Sequence, residues 1–223
     1  MEKKFNDIYK YSLWSGDDSG TRSGSGSTRS INTKRNLFLI RFIKARGIKT
    51  VYDVCGDCNW QRDFMRHIPD VQYIGMDVSK HAIDRAMRRS SERLLPNMRL
   101  IEQSVNLVNE MCDVEDPPNS LFILKEVIQH LPLDDGMRVL RNIRSSGVKY
   151  LAITDHHPAV HAQSMRDGKS NFNVDVGEYY PNRMSEPPFR FTNPIADVSR
   201  DLTLSEMRGY GNLLIFDLQE QRF

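Results

Sequence analysis

The sequence of 223 residues has little cysteine, no long apolar run and little net charge, and each absence excludes a class of protein. Its three cysteines cannot all pair in disulfides, which favours the reducing cytoplasm over a secreted, disulfide-stabilised fold. No segment approaches the roughly eighteen apolar residues of a membrane helix, so we expect no membrane span. The formal net charge of +2 is too small to indicate a nucleic-acid partner by itself.

The chain also lacks the G-x-G-x-x-G fingerprint of dinucleotide-binding proteins. In its place, the β-branched and aromatic residues 50–54 predict a buried strand that ends in a tight turn at Gly56. Such a turn is either purely structural or brings backbone N–H groups close to a ligand. A second apolar run, residues 73–76, ends in Asp77, which is placed to accept hydrogen bonds from both ribose hydroxyls of a nucleoside. This layout predicts a site for a nucleotide-type cofactor.

The same turn spells C-x-x-C, with Cys55 and Cys58 between a strand and a helix. That spacing is also typical of a thioredoxin-like redox pair or of half a zinc site. A structural zinc site takes four protein ligands, and Cys112 is the one further thiol in the sequence. The redox interpretation explains neither Asp53 nor Asp77, so the cofactor interpretation is preferred.

Strands alternate with helices along the chain, which predicts an α/β protein with a Rossmann-like, doubly wound, mostly parallel sheet. Further strands are expected at residues 99–103, 121–124, 150–154 and 213–218. The last is expected to run antiparallel to a partner near residues 195–204. Helices are expected at residues 29–46, 61–67 and 80–89, and after Pro132. Ser79 is the expected cap of the third helix.

Two segments lack regular periodicity. Residues 155–194 contain five prolines and are expected to form a functional lid, because a loop this long is rarely filler in a compact domain. Residues 5–14 are rich in aromatic side chains and are expected to pack on the domain. Residues 15–28 are either a flexible linker, which their composition favours, or an ordered loop that binds an anion beside Trp14.

These patterns together resemble class I S-adenosylmethionine-dependent methyltransferases, over about residues 35–155. The chain is similar, more closely, to small methyltransferases associated with polysaccharide or glycan genes. The segments that carry this likeness are residues 14–16 with 23–27 (W-S-G and S-G-S-G-S), 53–60 (D-V-C-G-D-C-N-W), Glu126 with His130-Leu131, and residues 173–177 with 187–189. The likeness favours the ordered loop over the linker for residues 15–28.

The resemblance implies a single methyltransferase domain over residues 1–223. It consists of a cofactor-covering segment and helix (1–49), a cofactor-binding core (50–155), a substrate lid (156–194) and C-terminal strands (195–223). The cofactor is then S-adenosylmethionine and the product S-adenosylhomocysteine (SAH). The implied cofactor-binding residues are Trp14, Gly24, Ser25, Gly26, Ser27, Asp53, Cys55, Gly56, Asp57, Asn59, Trp60, Asp77, Val78, Ser104, Val105 and Lys125. Ser104 departs from the family pattern, in which an acid commonly contacts the adenine amine.

Candidate catalytic residues follow the fourth and fifth predicted strands. Glu126 and His130 are four residues apart and face the same way if the segment is helical. They then either take part in catalysis or form a local ion pair or helix cap. Asp155 and His156 follow strand five, and a histidine beside an acid can act as a general base near neutral pH. His156 is the first choice for the base, with Glu126 and His130 orienting the acceptor or holding a divalent cation. The stretch resembles the E-x-x-E-H cation site of some quinone-pathway O-methyltransferases, although Gln129 replaces its second acid.

The function that the resemblance implies is transfer of a methyl group to a hydroxyl of a sugar or glycan, in the cytoplasm. An RNA or nucleotide methyltransferase is a competing interpretation, because residues 1–50 hold 11 Lys and Arg against 4 Asp and Glu. Such a basic segment is more commonly a solvated surface, so nucleic acid is not the expected partner. A thioredoxin-like protein using Cys55 and Cys58 is a second competing interpretation, and a noncatalytic binding module is a third.

Overall fold

The computed structural model of the protein describes residues 1–14, 21–90, 95–101, 105–110, 113–198 and 211–222. The chain groups into two compact units. Unit 1 comprises Met1–Asn106 and Asn119–Leu121, and unit 2 comprises Leu107–Pro118 and Phe122–Phe223.

Within the described residues, seven strands form one mixed sheet. They are β1 (Thr50–Val54), β2 (Gln72–Met76), β3 (Met98–Leu100), β4 (Ser120–Leu124), β5 (Tyr150–Asp155), β6 (Ala196–Asp197) and β7 (Asn212–Asp217). Their order across the sheet is β3-β2-β1-β4-β5-β7-β6. β1 pairs with β2, and β2 with β3, in parallel, whereas β7 runs antiparallel to both β5 and β6. The predicted Rossmann-like, mostly parallel sheet with an antiparallel C-terminal strand is confirmed.

Six α-helices accompany the sheet in the described part of the chain. They are α1 (Glu2–Tyr11), α2 (Arg29–Arg46), α3 (Gln61–Met65), α4 (Lys80–Ser90), α5 (Leu133–Ser145) and α6 (Pro158–His161). Short 3-10 helices lie at Ser25–Ser27, Pro117–Asn119, Ile128–His130 and Ala162–Ser164. No helix among these described residues is long and apolar enough to cross a membrane.

The helix boundaries follow local chemistry. α2 ends at Gly47, which adopts the left-handed conformation with φ of 63° that glycine tolerates best. α4 begins after Ser79, whose hydroxyl accepts a hydrogen bond from the Ala82 amide at 3.2 Å. α5 begins directly after its N-cap residue Pro132, because proline lacks the N–H group that a residue in the helix interior must donate.

Each unit buries the apolar face that its sequence pattern predicts. In unit 1, Ala82, Ile83 and Ala86 of α4 are fully buried. In unit 2, the inward face of α5 includes Leu140 and Ile143, which are also fully buried. Burial of a leucine or isoleucine side chain contributes about 1.5–3 kcal/mol to stability.

Three features of the fold differ from the sequence prediction or extend it. The aromatic residues near the N-terminus belong to a regular helix, α1, and β7 pairs with β5 as well as with the expected partner. Residues 126–130 are not α-helical, because Glu126 has a φ of 57° and a 3-10 turn covers Ile128–His130. The predicted ends of the third strand (residues 102–103) and of the partner strand (199–204) lie outside the described residues.

Candidate functional site

The turn after β1 and the carboxylate after β2 meet in unit 1. The Gly56 amide donates to Asp77 Oδ2 at 3.1 Å, and the Ser79 amide donates to Asp77 Oδ1 at 2.7 Å. Gly56 has a φ of 54°, a left-handed conformation that favours glycine. The Asp77 carboxylate therefore lies against the turn, where the sequence predicts the ribose of a cofactor.

Asp77 is 6% exposed, and this burial is the main reason that its pKa rises to about 7. The amides of Ser79 and Gly56 oppose the rise, whereas the neighbouring carboxylates of Asp53 and Asp57 add to it. The charged form is thus poorly stabilised in the protein alone. Further hydrogen bonds donated to this carboxylate, such as those of two ligand hydroxyls, would favour ionisation.

Asp53 is buried on β1 and binds protein groups. Its Oδ2 accepts hydrogen bonds from Gln61 Nε2 and from the Tyr73 hydroxyl, both at 2.8 Å. Burial, together with the charge of Asp53, raises the pKa of Tyr73, so the phenol remains a donor. Asp53 therefore ties β1 to α3 and β2, which fixes the base of the turn.

Asp57 holds the N-terminal segment on this turn. Its carboxylate accepts from Thr21 Oγ1 at 2.8 Å, the Arg22 amide at 2.9 Å and Ser23 Oγ at 3.0 Å. The guanidinium of Arg85 adds an ion pair at 3.2 Å. Residues 21–23, at the start of the described part of this segment, therefore lie against the turn.

Helix α1 closes over the same region. Tyr9 OH hydrogen-bonds Ser23 Oγ at 2.9 Å, and Asn6 Oδ1 accepts from Ser79 Oγ at 2.9 Å. A Cβ added at Gly56 would overlap Ser23 Oγ and lie 2.6 Å from Tyr9 OH. The lack of a side chain at this glycine therefore allows the N-terminal residues to pack directly on the turn.

Sequence reasoning missed several members of this cluster. Asn6, Tyr9, Thr21, Arg22 and Arg85 were not singled out. The aromatic spacing that predicted packing of residues 5–14 was the available signal for Tyr9. The others are common polar residues whose roles depend on contacts distant in sequence.

The remaining predicted cofactor residues of unit 1 fall into two groups. Those beside the turn hold the N-terminal segment: Asn59 Nδ2 donates to Ser27 O at 2.8 Å, and Gly26 O accepts from Asn32. Those set further back support the fold: Trp60 is buried and stacked on Phe64.

Further predicted positions are fixed by backbone or ring contacts. The Val105 amide donates to the backbone carbonyl of Asp77 at 2.9 Å, and Val78 is the next residue in the chain. Trp14 packs edge-on against Phe5 with ring centroids 5.9 Å apart. Gly24 adopts a φ of 81°, and the backbone of Ser25 belongs to the 3-10 helix Ser25–Ser27. In unit 2, Lys125 is buried directly after β4. Ser104 lies outside the described residues.

The two cysteines of the turn are free thiols. A hydrogen bond with Cys58, followed by burial, raises the pKa of Cys55 well above its usual value. A redox-active thiol at this position needs a lowered pKa, because the thiolate is the nucleophile. This environment does not favour the thioredoxin-like interpretation. Cys112 lies outside the described residues.

A second polar cluster lies in unit 2, at the carboxyl ends of β4 and β5. Glu126 Oε2 accepts from Gln129 Nε2 at 2.6 Å and lies 3.7 Å from His156 Nε2. The Gly211 amide lies 3.3 Å from Glu126 Oε1, and the Glu126 amide donates to Thr154 Oγ1 at 2.7 Å. The carboxylate thus accepts hydrogen bonds from Gln129 and Gly211 and lies close to the His156 ring.

The side chains of Asp155 and His156 point to different partners. His156, 1% exposed, donates its amide to Asn182 O at 2.8 Å and accepts the Asn182 amide on Nδ1 at 3.1 Å. Asp155 accepts from the Met184 amide at 2.7 Å and from Arg183 Nη1 at 3.2 Å. Asp155 therefore anchors the lid segment, residues 156–194, and does not form the expected acid–histidine pair with the His156 ring.

His130 is held by the lid segment. Its Nδ1 lies 2.7 Å from Glu178 O, and its backbone carbonyl accepts the Gly177 amide at 2.8 Å. Burial lowers the pKa of His130, against the opposing effects of the Glu178 carbonyl and of Glu126. The ring packs against Tyr179 with centroids 5.9 Å apart.

Two aromatic residues that the sequence did not single out complete the cluster. The His161 ring meets the His156 ring at 4.5 Å, and the Tyr179 ring meets His156 at 5.6 Å. Tyr179 OH lies 3.4 Å from His161 Nδ1. Burial, followed by the charge of His156, lowers the pKa of His161 to about 4, so this imidazole is neutral near pH 7. Both residues belong to the lid, whose irregular sequence gave no periodic signal for them.

Metal binding was a weaker expectation for this cluster. Within the described ranges, no group of three or more His, Cys, Asp or Glu side chains is arranged to hold a metal ion.

Neither a protein-family model nor a curated protein matches the sequence. Solved structures do match. Magnesium protoporphyrin IX methyltransferase from Synechocystis PCC 6803 with bound SAH shares 12% identity over 96% of each chain, with a TM-score of 0.60. The pyocyanin biosynthetic protein PhzM shares 14% identity over 94% of this chain and 61% of its own, with a TM-score of 0.61. The methyltransferase domain of bacterial CtHen1 shares 16% identity over 84% of this chain and 99% of its own, with a TM-score of 0.51.

These likenesses define the fold as that of class I S-adenosylmethionine-dependent methyltransferases. At such low identity they identify the fold and leave the reaction and the acceptor to the site itself.

Proposed function

We propose that the protein is an S-adenosylmethionine-dependent methyltransferase. The observation that carries the proposal is the buried Asp77 carboxylate at the end of β2, in contact with the Gly56 amide of the preceding turn. Within this fold, a carboxylate so placed suits the paired hydroxyls of a ribose. S-adenosylmethionine would supply an electrophilic methyl group on a sulfonium, which leaves SAH when it is transferred.

The residues around the turn fit such a cofactor. Asp77 would accept the ribose hydrogen bonds, and Gly56, which has no side chain, lets the N-terminal residues pack on the turn beside it. The 21–27 segment, held by Asp57 and Asn59, would cover the bound cofactor and exclude water from the sulfonium. Trp14 would form a flat wall beside it. The proposed organisation of the chain remains a cover (1–49), a cofactor core (50–155), a lid (156–194) and closing strands (195–223).

We propose a hydroxyl of a sugar or glycan as the methyl acceptor. The support is the resemblance of residues 14–27, 126–131 and 173–189 to the glycan-associated group. Tyr179 adds to it, because this ring is 36% exposed and is flanked by hydrogen-bonding side chains. Aromatic walls with a few convergent polar groups are typical of small-molecule sites.

Calorimetry with SAH tests the cofactor proposal. Wild type should bind, and Asp77→Ala should lose about 1–3 kcal/mol of binding free energy, because two ligand hydroxyls lose their acceptor. Asp84→Ala, which removes an exposed carboxylate paired with Lys80, is the matched control and should bind as wild type does. An unchanged affinity in Asp77→Ala, within about twofold, would contradict the assignment.

The acceptor is tested by transfer of tritiated methyl groups to methyl glycosides of hexoses, deoxyhexoses and hexosamines. Alkali-stable label in one of these sugars is the expected result, because an ether bond survives base. Label in added RNA, with none in any sugar, would favour a nucleic-acid methyltransferase.

A further inference from the structure

His156 and His130 of this cluster are fixed in opposite tautomers by main-chain partners. The Asn182 amide can only donate, and it donates to His156 Nδ1 at 3.1 Å. The neutral His156 ring must therefore carry its proton on Nε2, the nitrogen that faces Glu126. A ring in this state offers a hydrogen-bond donor to its surroundings, whereas a general base needs an unprotonated nitrogen.

His130 has the reverse arrangement. The carbonyl oxygen of Glu178 can only accept, and it lies 2.7 Å from His130 Nδ1. The neutral ring must carry its proton on Nδ1, which makes Nε2 the basic nitrogen. The lowered pKa of His130 agrees with a ring that is neutral near pH 7.

The lid segment builds this arrangement. The Gly177 amide donates to His130 O at 2.8 Å, and the Tyr180 amide donates to Gln129 O at 3.1 Å. Gly177 has a φ of 85°, and the carbonyl of the next residue, Glu178, lies 2.7 Å from His130 Nδ1. The N-V-D-V-G-E segment at residues 173–178 therefore positions an imidazole, a use that its sequence does not reveal.

Glu126 is less suited than His130 to accept a proton. Its Oε2 accepts a hydrogen bond from the side-chain Nε2 of Gln129 at 2.6 Å and faces His156 Nε2. Its Oε1 accepts from the backbone amide of Gly211. Hydrogen bonds to the charged form of a carboxylate lower its basicity.

We propose that His130, through Nε2, is the general base of the methyl transfer, and that His156 is not. The inference rests on the proposed function. The acceptor hydroxyl gives its proton to Nε2 as its oxygen bonds the methyl carbon, and the breaking S–CH₃ bond leaves its electron pair on sulfur. The imidazolium that results keeps its Nδ1–H bond to Glu178 O and later releases the Nε2 proton to water.

Nitrogen-15 NMR of histidine-labelled protein tests the tautomers without a substrate. At about pH 7.5, long-range proton–nitrogen correlations should show a bare Nε2 on His130 and a bare Nδ1 on His156. Variants His130→Gln and His156→Gln assign the two signals, because each removes one. A protonated Nε2 on His130, or a bare Nε2 on His156, would overturn the proposal.

Chemical rescue then tests the proton transfer, with the most active methyl glycoside of the acceptor panel. His130→Ala should lower turnover at least about a hundredfold, and added imidazole should restore part of it. Loss in His156→Ala should not be restored by imidazole. Turnover within about tenfold of wild type in His130→Ala, or rescue confined to His156→Ala, would refute the assignment.

The two tests separate this inference from the proposed function. If wild type fails to bind SAH, the methyltransferase proposal fails whatever the tautomers are. If SAH binds equally to wild type and His130→Ala while both turn over alike, only the assignment of the base fails.

Discussion

Among the described residues of unit 1, three aspartates are buried, and each is bound by a different kind of group. Asp57 is matched by the Arg85 guanidinium and by hydroxyl and amide donors, and Asp53 by an amide side chain and a phenol. The donors to Asp77 are two backbone amides, which only partly offset its burial. Asp77 is therefore the carboxylate whose charge a ligand with two hydroxyls would stabilise most.

SAH affinity should depend on pH through Asp77. Its pKa of about 7 means that near pH 6 most of the ligand-free protein is protonated there, and binding must release that proton. Affinity should rise as pH increases from about 5.5 to 8, by at most tenfold per unit below the pKa. Calorimetry in buffers of different ionisation enthalpy should detect proton release near pH 6 and none near pH 8.5. Asp77→Asn should bind more weakly and with no such dependence.

The same group should make the ligand-free protein less stable at higher pH. An acid whose pKa is raised on folding contributes most below its unfolded value, near 3.8, and that contribution is lost as pH rises through about 7. The full effect is up to about 4 kcal/mol for a shift of this size. Urea unfolding should show that the free energy of unfolding of wild type falls relative to that of Asp77→Asn between pH 5 and 8. Above pH 8 the difference should be constant. A constant difference would show that Asp77 does not titrate in this range.

Gly56→Ala should destabilise the protein more than Gly47→Ala, in which the alanine suffers only from the positive φ of the backbone. At Gly56 the new methyl group meets Ser23 and Tyr9, whereas at Gly47 nothing lies within 4 Å, although both have positive φ. Gly47→Ala should cost about 1 kcal/mol, and Gly56→Ala about 1–3 kcal/mol more for the steric conflict. Thermal unfolding of the two variants measures this difference, and equal losses would mean that the N-terminal residues yield without cost.

At the scale of elements, the sequence predicted what local patterns determine. β1, β2 and α4 were identified because apolar spacing, Gly56 and the Ser79 cap are encoded within a few residues. The pairing of β7 with β5 was not, because strand neighbours depend on contacts between distant segments. The sequence left the conformation of residues 126–130 open, since Glu126 adopts a positive φ that its residue type does not suggest.

The candidate site shows the same division. The strand–turn–strand pattern assigned Asp77 and Gly56 to one predicted site, and in the structure the Gly56 amide donates to Asp77 Oδ2. Thr21 and Arg22 bind Asp57 across more than thirty residues, and no spacing rule indicates such a contact. The tautomers of His130 and His156 depend on one carbonyl and one amide in the lid, so the sequence alone favoured the histidine beside an acid.

Asp57 should control whether the 21–27 segment stays on the turn. Asp57→Asn removes the charge that Thr21, Arg22 and Arg85 all contact, at a cost of about 2–3 kcal/mol. Hydrogen exchange at the Arg22 amide should quicken at least about tenfold, and SAH affinity should fall. Asp63→Asn is the control, because Asp63 forms an exposed pair with Arg66 and should change neither quantity. Unchanged exchange at Arg22 in Asp57→Asn would mean that different contacts hold the segment.

At the scale of the whole molecule, the fold leaves the acceptor open. The solved structures with this fold include a methyltransferase named for a porphyrin and a protein named for pyocyanin biosynthesis. One fold therefore occurs in proteins named for different small molecules, and the argument for the proposed acceptor must come from the second polar cluster and the charged surface.

Charge distribution gives the sharpest separation of a glycan acceptor from RNA. The overall charge of +2 combines a basic N-terminal stretch with an acidic remainder, and exposed cations such as Arg41 and Lys44 lie on α2. If about four such cations bound phosphates of single-stranded RNA, affinity would fall about fiftyfold between 50 and 200 mM salt.

We expect instead no retention of a labelled oligoribonucleotide on filters at about 150 mM salt. Sugar methylation should change by less than about twofold across that range, because a neutral acceptor releases no counterions. The double variant Arg41→Glu/Lys44→Glu should methylate sugars as wild type does. RNA binding that weakens steeply with salt in wild type, and much less in this variant, would instead favour nucleic-acid methylation. Both results are expected if Arg41 and Lys44 bind backbone phosphates.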